Sequence, residues 1–392
     1  MKRVVVGLSG GVDSSVSALL LQEQGYEVIG MFMRNWHDES VTLSDECPWI
    51  DDSNDALLIA QQLGIPFQVI DLSEAYKSRI VDYMFAEYER GRTPNPDVLC
   101  NREIKFDVFL QAAMELGADY VATGHYCQKR ENEDGSFSLL AGADKNKDQS
   151  YFLCQITQEQ LSKALFPIGA LEKSEVREIA LKHDLVTAAK KDSQGLCFVG
   201  KIALPTFLQQ QLAPKQGNVI EIPFDMPQFN AYDEIPLDIA HVKDLSDPFV
   251  YQETDGQKVT THQGAHYYTV GQRKGLHIGG RPEPSFVIGI NTDTNTVYSG
   301  QTEGHPGLNR YALKLEATSM NWINRSDIFE EQNQLKCQVR IRYRQPLQSG
   351  TLIRENDAYF ILFDVKQKGI TPGQFAAWYI DGVLIGSGVI AH

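Results

Sequence analysis

The sequence contains few cysteines, and they form no recognisable metal or redox motif. Its 392 residues include 6 cysteines, with no C-x-x-C pair and no Cys/His cluster at zinc-binding spacing. Small secreted proteins that depend on disulfides use cysteine far more densely, and structural zinc sites need several ligands at short spacings. The sequence therefore argues against both classes, and most of these thiols are expected to pack as small apolar side chains.

Long apolar runs are also absent. No stretch reaches the roughly 18 apolar residues typical of a membrane-spanning helix, and the apolar residues after Met1-Lys2-Arg3 are interrupted at Ser9-Gly10-Gly11. That interruption argues against a signal peptide. We therefore expect a cytoplasmic protein without a membrane partner. A chain of 392 residues is too long for one ordinary core, so two or three domains are expected.

Basic residues are outnumbered by acidic ones. The 36 Lys and Arg residues face 51 Asp and Glu residues, which gives a formal net charge of −15. This balance disfavours non-specific binding to nucleic acid, although a local basic face remains compatible with it. In Cys337–Arg344, strand alternation would place three arginines on one face: Arg340, Arg342 and Arg344. Such a stripe could follow a phosphate backbone, or it could be an ordinary solvated face.

The most informative segment that is present is the run Ser9–Ser15, S-G-G-V-D-S-S. It follows an apolar run, Val4–Leu8, that predicts a buried strand, and it precedes a helical pattern over Ser14–Gln24. A Gly-rich turn before a helix N-terminus presents free N–H groups and a favourable dipole to an anion. The segment lacks the spacing and the lysine of a Walker A loop. It resembles instead the pyrophosphate loop of ATP pyrophosphatases; the alternative is a tight strand–helix turn that needs small residues.

Strand and helix patterns alternate over about the first 125 residues, which predicts an α/β fold with a doubly wound parallel sheet. Strands are predicted at Val4–Leu8, Glu27–Met33, Phe67–Leu72 and Tyr120–Thr123, and helices at Ser14–Gln24, Asn54–Leu63, Ser73–Arg90 and Asn101–Leu116. We expect a Rossmann-like ATP-pyrophosphatase domain at 1–202 and a small central domain at 203–304. The central domain would contain an irregular insertion at about 221–258. Short strands with Gly-containing turns predict a C-terminal β-barrel at 305–392.

Two cysteines stand in contexts that could activate a thiol. Cys100 precedes a helix expected to begin at about Asn101, where the helix dipole would stabilise a thiolate. Nearby basic side chains would add to that effect: Arg92, Arg102 and Lys105. Cys197 follows two lysines and a flexible glycine in the segment Lys190–Phe198. Each cysteine taken alone would more often be a packing residue.

Several segments occur in an order that resembles the tRNA-specific 2-thiouridylases, the MnmA family. They are Ser9–Ser15, Gly91–Phe106, Ala122–Tyr126, Asn146–Leu153, Lys191–Phe198 and Val270–Leu276. The resemblance covers essentially the full length, although the stretch Glu221–Lys258 looks longer than the family pattern. It implies an ATP-dependent sulfurtransferase that binds tRNA through the C-terminal barrel and converts a wobble uridine, flipped from its stack, to 2-thiouridine.

The resemblance also implies a reaction sequence. The C2 oxygen of the uridine would attack the α-phosphate of ATP and release pyrophosphate. The terminal sulfur of a persulfide on Cys197 would then attack C2 and expel AMP. Attack of Cys100 on the Cys197 sulfur would release 2-thiouridine and leave a Cys100–Cys197 disulfide. Asp97 would serve as the general acid or base for the uracil, although an aspartate after Pro96 is also a common turn residue.

The expected ligands follow from the same resemblance. ATP would contact Gly7, Leu8, Ser9, Gly10, Gly11, Val12, Asp13, Ser14, Met33 and Gly124. The tRNA would contact Asn95, Pro96, Asp97, His125, Lys147, Asp148, Gln149, Arg342, Tyr343 and Gln374. Mg²⁺ is expected on the phosphates, although no residue identifies itself as its ligand. The partners would be tRNAs for Lys, Glu and Gln and a persulfide donor, either a relay protein or a cysteine desulfurase.

Two alternatives remain at this stage. Another pyrophosphate-loop enzyme, such as a tRNA lysidine synthase, would adenylate a carbonyl but use an amine or ammonia and need no cysteine pair. A non-catalytic protein that binds tRNA in a nucleotide-dependent way would keep the loop without the chemistry. A Cys197→Ser change separates the first alternative from a thiouridylase, because only a thiouridylase needs that sulfur.

Overall fold

The computed structural model describes residues 1–35, 48–191, 204–324 and 332–392. Cys47 and Cys197 lie outside the described residues. The N-terminal region forms a parallel five-stranded sheet in the order β3-β2-β1-β4-β7. Its strands are β1 (Arg3–Gly7), β2 (Glu27–Arg34), β3 (Phe67–Asp71), β4 (Tyr120–Ala122) and β7 (Ala164–Leu165).

Helices cover both faces of this sheet. Within β1, Val5 packs into one apolar cluster, whereas Val4 and Val6 pack into another on the opposite face. Alternate residues of a strand point to opposite faces, so the three consecutive valines of β1 are what a sheet buried on both sides requires. The predicted α/β class with a doubly wound parallel sheet is therefore confirmed.

The helices of this region are α1 (Val12–Glu23), α2 (Pro48–Leu63), α3 (Ser73–Tyr76), α4 (Asp82–Glu89), α5 (Pro96–Leu99), α6 (Phe109–Glu115), α7 (Gln158–Lys163) and α8 (Lys173–Lys182). Segments of π-helix join α3 to α4 at Lys77–Val81 and α5 to α6 at Cys100–Val108. The prediction of a helix start at Asn101 was wrong. The helix begins at Pro96, with Asn95 as its N-cap, so Cys100 lies inside the helix rather than in front of it.

The middle of the chain contains a four-stranded sheet in the order β10-β11-β8-β9. Its strands are β8 (Gly217–Glu221), β9 (Gln257–His262), β10 (Ser285–Asn291) and β11 (Thr296–Gln301). A short helix, α9 (Leu204–Leu208), precedes it.

The segment at 221–258 differs from the irregular insertion that was predicted. It contains α10 (Pro227–Asp233) and α11 (Val242–Ser246). Tyr232, Val242 and Leu245 are buried there in an apolar cluster with residues of the C-terminal antiparallel sheet. Helices this short gain their stability from tertiary packing, which the local sequence pattern does not reveal.

The C-terminal region forms an antiparallel sheet in the order β12-β16-β15-β14-β17-β18-β6-β5, with β13 paired to β18. Its strands are β5 (Cys127–Glu131), β6 (Phe137–Ala141), β12 (Asn309–Leu315), β13 (Asn321–Trp322), β14 (Gln334–Arg340), β15 (Gln348–Glu355), β16 (Ala358–Lys368), β17 (Phe375–Ile380) and β18 (Val383–Val389). Strands β5 and β6 come from the N-terminal part of the chain, and Leu139 and Leu140 pair with β18. The sheet thus combines strands from the N-terminal and the C-terminal regions.

The predicted stripe of three arginines is wrong. Strand β14 ends at Arg340, so Arg342 and Arg344 lie beyond it, and Arg344 has a φ of 66°. No helix in the described ranges is both long enough and apolar enough to cross a membrane.

Candidate active site

The segment between β1 and α1 forms an anion-binding cradle made of backbone. Helix α1 begins at Val12, and its N-cap Gly11 contributes no side-chain acceptor. The first-turn N–H groups of a helix have no partner within the helix itself, so here they lack a cap as well. Leu8 and Val12 are buried in the apolar core. The loop therefore presents its backbone, rather than these side chains, to a ligand.

Serine hydroxyls fix the shape of this loop. The Ser9 N–H donates to Ser14 Oγ at 3.1 Å, and Ser14 Oγ in turn donates to the Gly11 carbonyl at 3.1 Å. Ser15 Oγ donates to the same carbonyl at 2.8 Å. Because both hydroxyls point back at the turn, its open amides keep a fixed orientation, as a phosphate site requires.

Two glycines allow other parts of the chain to approach the loop closely. Gly10 has a φ of +69°, and a Cβ there would lie 2.2 Å from the Asp52 carbonyl oxygen at the start of α2. A Cβ at Gly124 would lie 2.9 Å from the Ser14 backbone nitrogen. These contacts place Gly124 against the loop. The backbone cradle fits a triphosphate, because its amides are donors and a larger residue at either glycine would obstruct it.

Asp13 anchors an ion pair that the sequence analysis missed. Lys173 Nζ donates to both carboxylate oxygens of Asp13, at 2.7 and 2.9 Å, and the Tyr126 hydroxyl donates to Asp13 Oδ1 at 2.7 Å. Lys173 is the first residue of α8, where the helix dipole disfavours a cation. A lysine at the first position of a helix is therefore a weak sequence signal that this side chain has a negatively charged partner. The ion pair itself could not be predicted, since Lys173 and Asp13 are far apart in the chain.

Asp144 contacts the backbone of Lys173, whereas Asp13 contacts its side chain. Its carboxylate accepts the backbone N–H of Lys173 at 3.1 Å, and Asp144 itself is buried. Gln149, from the predicted tRNA-contacting segment, accepts the Tyr126 N–H at 3.0 Å and donates its own N–H to the Tyr126 carbonyl at 2.9 Å. The structure thus connects that segment to the loop through Tyr126.

The cysteine of the second predicted motif is buried. Cys100 has no exposed surface, and burial raises the pKa of its thiol. Asp97 raises that pKa further, while Lys105 opposes the shift. The predicted thiolate at a helix N-terminus is therefore contradicted, because Cys100 lies within the helix and away from water. Arg92 and Arg102 do not stabilise a thiolate as predicted; Arg92 pairs with Glu87 and Glu316, and Arg102 pairs with Glu103.

The start of that helix carries the predicted uridine-contacting residues. Asn95 caps it by accepting the Val98 N–H at 3.2 Å, and Pro96 occupies its first turn. Asp97 and Cys100 are three positions apart and therefore share one face of the helix. Gln374 lies against this turn, since Asn95 Nδ2 donates to its Oε1 at 3.3 Å. The structure thus brings together Asn95, Asp97, Cys100 and Gln374.

Several of the predicted tRNA-contacting residues have partners inside the protein. Buried Asp148 pairs with Arg340 at 2.9 Å. His125 Nδ1 lies 2.7 Å from Thr123 Oγ1, and burial holds the pKa of His125 well below its usual value, so the ring is neutral. Lys147 is half-buried. Asp148 and His125 therefore make contacts inside the protein.

Tyr343 and Arg342 follow the end of β14. The Tyr343 ring lies 4.3 Å from the ring of Phe152, in the K-D-Q-S-Y-F-L segment. Arg342 donates to the carbonyls of Lys368 and Gly369, and burial lowers the pKa of its guanidinium. Arg342 also lies beside Gly271 of the V-G-Q-R-K-G-L segment. The residues that follow β14 therefore contact both the K-D-Q-S-Y-F-L segment and the middle region.

The described residues that precede Cys197 end at Lys191, close to the phosphate loop. Lys190, two residues before the undescribed range 192–203, donates to Asp52 at 2.7 Å. The carbonyl of Asp52 faces Gly10. After the range, Phe207 stacks on Phe85 of α4 at 5.4 Å. Within the described residues, no group of three or more His, Cys, Asp or Glu side chains is arranged to hold a metal ion.

A parallel α/β sheet with an uncapped glycine-rich turn between its first strand and first helix is the arrangement of a nucleotide-binding α/β domain. Comparison with known families identifies it further. Residues 2–201 match the "tRNA methyl transferase HUP domain", 241–301 the "tRNA methyl transferase PRC-barrel domain" and 313–390 the "Aminomethyltransferase beta-barrel domain".

Similar proteins extend over the entire chain. Those of Christiangramia forsetii and Flavobacterium johnsoniae, both named tRNA-specific 2-thiouridylase MnmA, are each 61% identical over 395 aligned residues, with 100% of both chains covered. The protein of that name from Halalkalibacterium halodurans is 45% identical over 394 residues, covering 100% of this chain and 95% of its own. The chain belongs to the MnmA family of tRNA-specific 2-thiouridylases.

Proposed function

We propose that this protein is an ATP-dependent tRNA sulfurtransferase that converts the C2 oxygen of a wobble uridine to sulfur. The observation that carries the proposal is the similarity to 2-thiouridylases along the whole chain, at 61% identity. The uncapped loop over Ser9–Ser14 and the helix turn with Asp97 and Cys100 supply the two kinds of group that the reaction needs. We also propose that the protein acts in the cytoplasm.

The nucleotide side of the site consists of the loop and its supports. Its backbone amides hold the phosphates, and ATP supplies AMP as a leaving group where a uracil oxygen alone would leave very poorly. Lys173 lies 2.7 Å from Asp13 and balances negative charge at the helix start. Gly7, Met33 and Gly124 surround the loop; a Cβ at Gly7 would lie 3.1 Å from Met33 Cε. We assign these residues to ATP.

The substrate side lies at the Asn95 turn. We assign to the half-buried Asp97 the role of accepting and returning a proton of the uracil ring. A persulfide on Cys197 supplies the sulfur that displaces AMP, and Cys100 then attacks the Cys197 sulfur to release the product. Burial favours the thiol form of Cys100 at neutral pH, so its attack requires deprotonation once the tRNA is bound. Of the residues predicted to contact tRNA, Gln374 lies against this turn, since Asn95 Nδ2 donates to its Oε1.

The partners follow from this chemistry. The tRNA must present an unstacked wobble uridine, and tRNAs for Lys, Glu and Gln are the proposed substrates. The sulfur must arrive as a persulfide, from a relay protein or directly from a cysteine desulfurase. Mg²⁺ is proposed as the companion of the ATP phosphates, without assigned protein ligands.

Pyrophosphate release separates an enzyme from a nucleotide-dependent tRNA binder. We expect the purified protein to release pyrophosphate from ATP only when a wobble-uridine tRNA is present, because the uridine C2 oxygen is the nucleophile of the first step. The measurement is coupled detection of pyrophosphate, with a transcript carrying cytidine at the wobble position as the control. Absence of release with every tRNA offered would favour the binder.

A further inference from the structure

The loop at residues 91–97 makes most of its contacts with parts of the chain that are distant in sequence. The Thr93 N–H donates to the Pro372 carbonyl at 2.9 Å, and Thr93 Oγ1 donates to Thr269 Oγ1 at 3.0 Å. A Cβ at Gly91 would lie 3.0 Å from Thr292 Cγ2. Pro372 lies just before β17, whereas Thr269 and Thr292 belong to the middle region. Residues from both later regions therefore hold this loop.

Arg92 forms an ion bridge between the N-terminal helices and the C-terminal sheet. Its Nε lies 2.6 Å from Glu87 Oε2 on α4, and its Nη2 lies 2.5 Å from Glu316 Oε1, which follows β12. Burial alone would lower the pKa of Arg92, but the two carboxylates outweigh it and raise that pKa. Glu87 is only 5% exposed, so the Glu87–Arg92 pair is weakly screened by salt, whereas the Glu316 end of the bridge is partly exposed.

Gln374 makes a second connection to the same loop. Its Nε2 donates to the Thr93 carbonyl at 2.9 Å and to the Pro94 carbonyl at 3.1 Å. Its Oε1 accepts from Asn95 Nδ2 at 3.3 Å. Both hydrogens of the amide and its oxygen are therefore used inside the protein. A side chain whose donors are fully engaged has none left to offer a nucleotide base.

The position of the loop determines the position of the chemistry. Asn95 both accepts the Val98 N–H and bonds to Gln374, so the start of the helix is tied to the C-terminal sheet. Asp97 and Cys100 lie on the first turns of that helix. A shift of the loop would displace both groups relative to the uridine, and a displacement of about 1 Å can lower a rate by about 100-fold.

We propose that Arg92, Glu316 and Gln374 are positioning residues for thiolation: they fix the 91–97 loop to the C-terminal sheet and so align Asp97 and Cys100 with the uridine. This inference rests on the proposed function. It gives the C-terminal region a part in forming the active site in addition to binding tRNA. It also assigns Gln374 to the loop rather than to direct contact with tRNA.

The test uses Glu316→Gln, which removes one charge of the bridge but leaves the buried Glu87–Arg92 pair intact. Gln374→Ala is the second variant, and it tests the other connection. Arg90→Gln is the matched control, because Arg90 also reaches Glu87, at 3.5 Å, but its side chain is 72% exposed. The measurements are kcat and KM for tRNA in 2-thiouridine formation, ATP affinity, and the thermal unfolding midpoint.

We expect kcat to fall about 10-fold in Glu316→Gln and in Gln374→Ala, with KM for tRNA and ATP affinity within about twofold of the wild type. Glu316→Asp should recover most of the lost kcat, and Arg90→Gln should match the wild type. Unchanged kcat in both variants would overturn the inference. So would a raised KM for tRNA at unchanged kcat, which marks a direct tRNA contact. A wild-type protein that forms no 2-thiouridine would refute the proposed function instead.

Discussion

A Cys100→Ser variant is expected to lose turnover by at least about 1000-fold while still consuming ATP. After the Cys197 persulfide displaces AMP, the uridine sulfur remains bonded to Cys197 Sγ. Only a second thiolate can attack that Sγ and release 2-thiouridine. Serine cannot do this, so the variant should stop as a covalent protein–tRNA adduct joined through a disulfide. A denaturing gel with and without dithiothreitol detects the adduct and its release.

Two further variants make this result specific. Cys197→Ser removes the sulfur carrier, so it should lose 2-thiouridine equally but form no adduct. Cys337→Ser is the matched control, since Cys337 is also buried, in the C-terminal sheet, and burial raises the pKa of its thiol to about 12. It should keep full activity. A Cys100→Ser protein that turned over normally would contradict the assigned role of Cys100.

A Gly10→Ala variant is expected to lose ATP affinity by at least about 100-fold, the equivalent of roughly 3 kcal/mol. Gly10 has a φ of +69°, and the new Cβ would lie 2.2 Å from the Asp52 carbonyl oxygen. Neither group is a flexible side chain, so the loop or the start of α2 must move. The amides that face the phosphates would move with it. Equilibrium dialysis with labelled ATP measures the loss.

Gly64→Ala provides the control for this substitution. Gly64 has a similar φ of +65°, but a Cβ there would meet nothing within 4 Å. Its cost should be limited to the strain of a left-handed alanine, about 1 kcal/mol of unfolding free energy, with ATP affinity unchanged. Equal losses of ATP affinity in the two variants would show that the close approach to Asp52 is irrelevant to the site.

Local patterns were sufficient to predict the N-terminal fold and the phosphate loop. The three valines of β1, the glycines and the helix start lie within about 20 residues of one another, and their signals agree. The start of helix α5 was predicted at the wrong residue, although the sequence contained the signal for it. Asn95 is a favourable N-cap and Pro96 a favourable first helical residue. The helix therefore begins there rather than at Asn101.

The remaining features depend on contacts between distant segments. Arg340 does not follow a phosphate backbone with its neighbours, because it pairs with buried Asp148. The short helices at Pro227–Asp233 and Val242–Ser246 form against a sheet that comes later in the chain. Lys173 reaches Asp13, and Arg92 reaches Glu316, only after folding. A single sequence contains no pairwise signal for such contacts, so their functional residues were missed.

The most direct test of this account is nucleoside mass spectrometry on a tRNA transcript with a wobble uridine. The transcript is incubated with the purified protein, ATP, Mg²⁺ and a persulfide donor, then digested to nucleosides. The account predicts 2-thiouridine that appears only when ATP is present. Release of pyrophosphate without any thiolated nucleoside would contradict it, since adenylation would then serve a nucleophile other than sulfur.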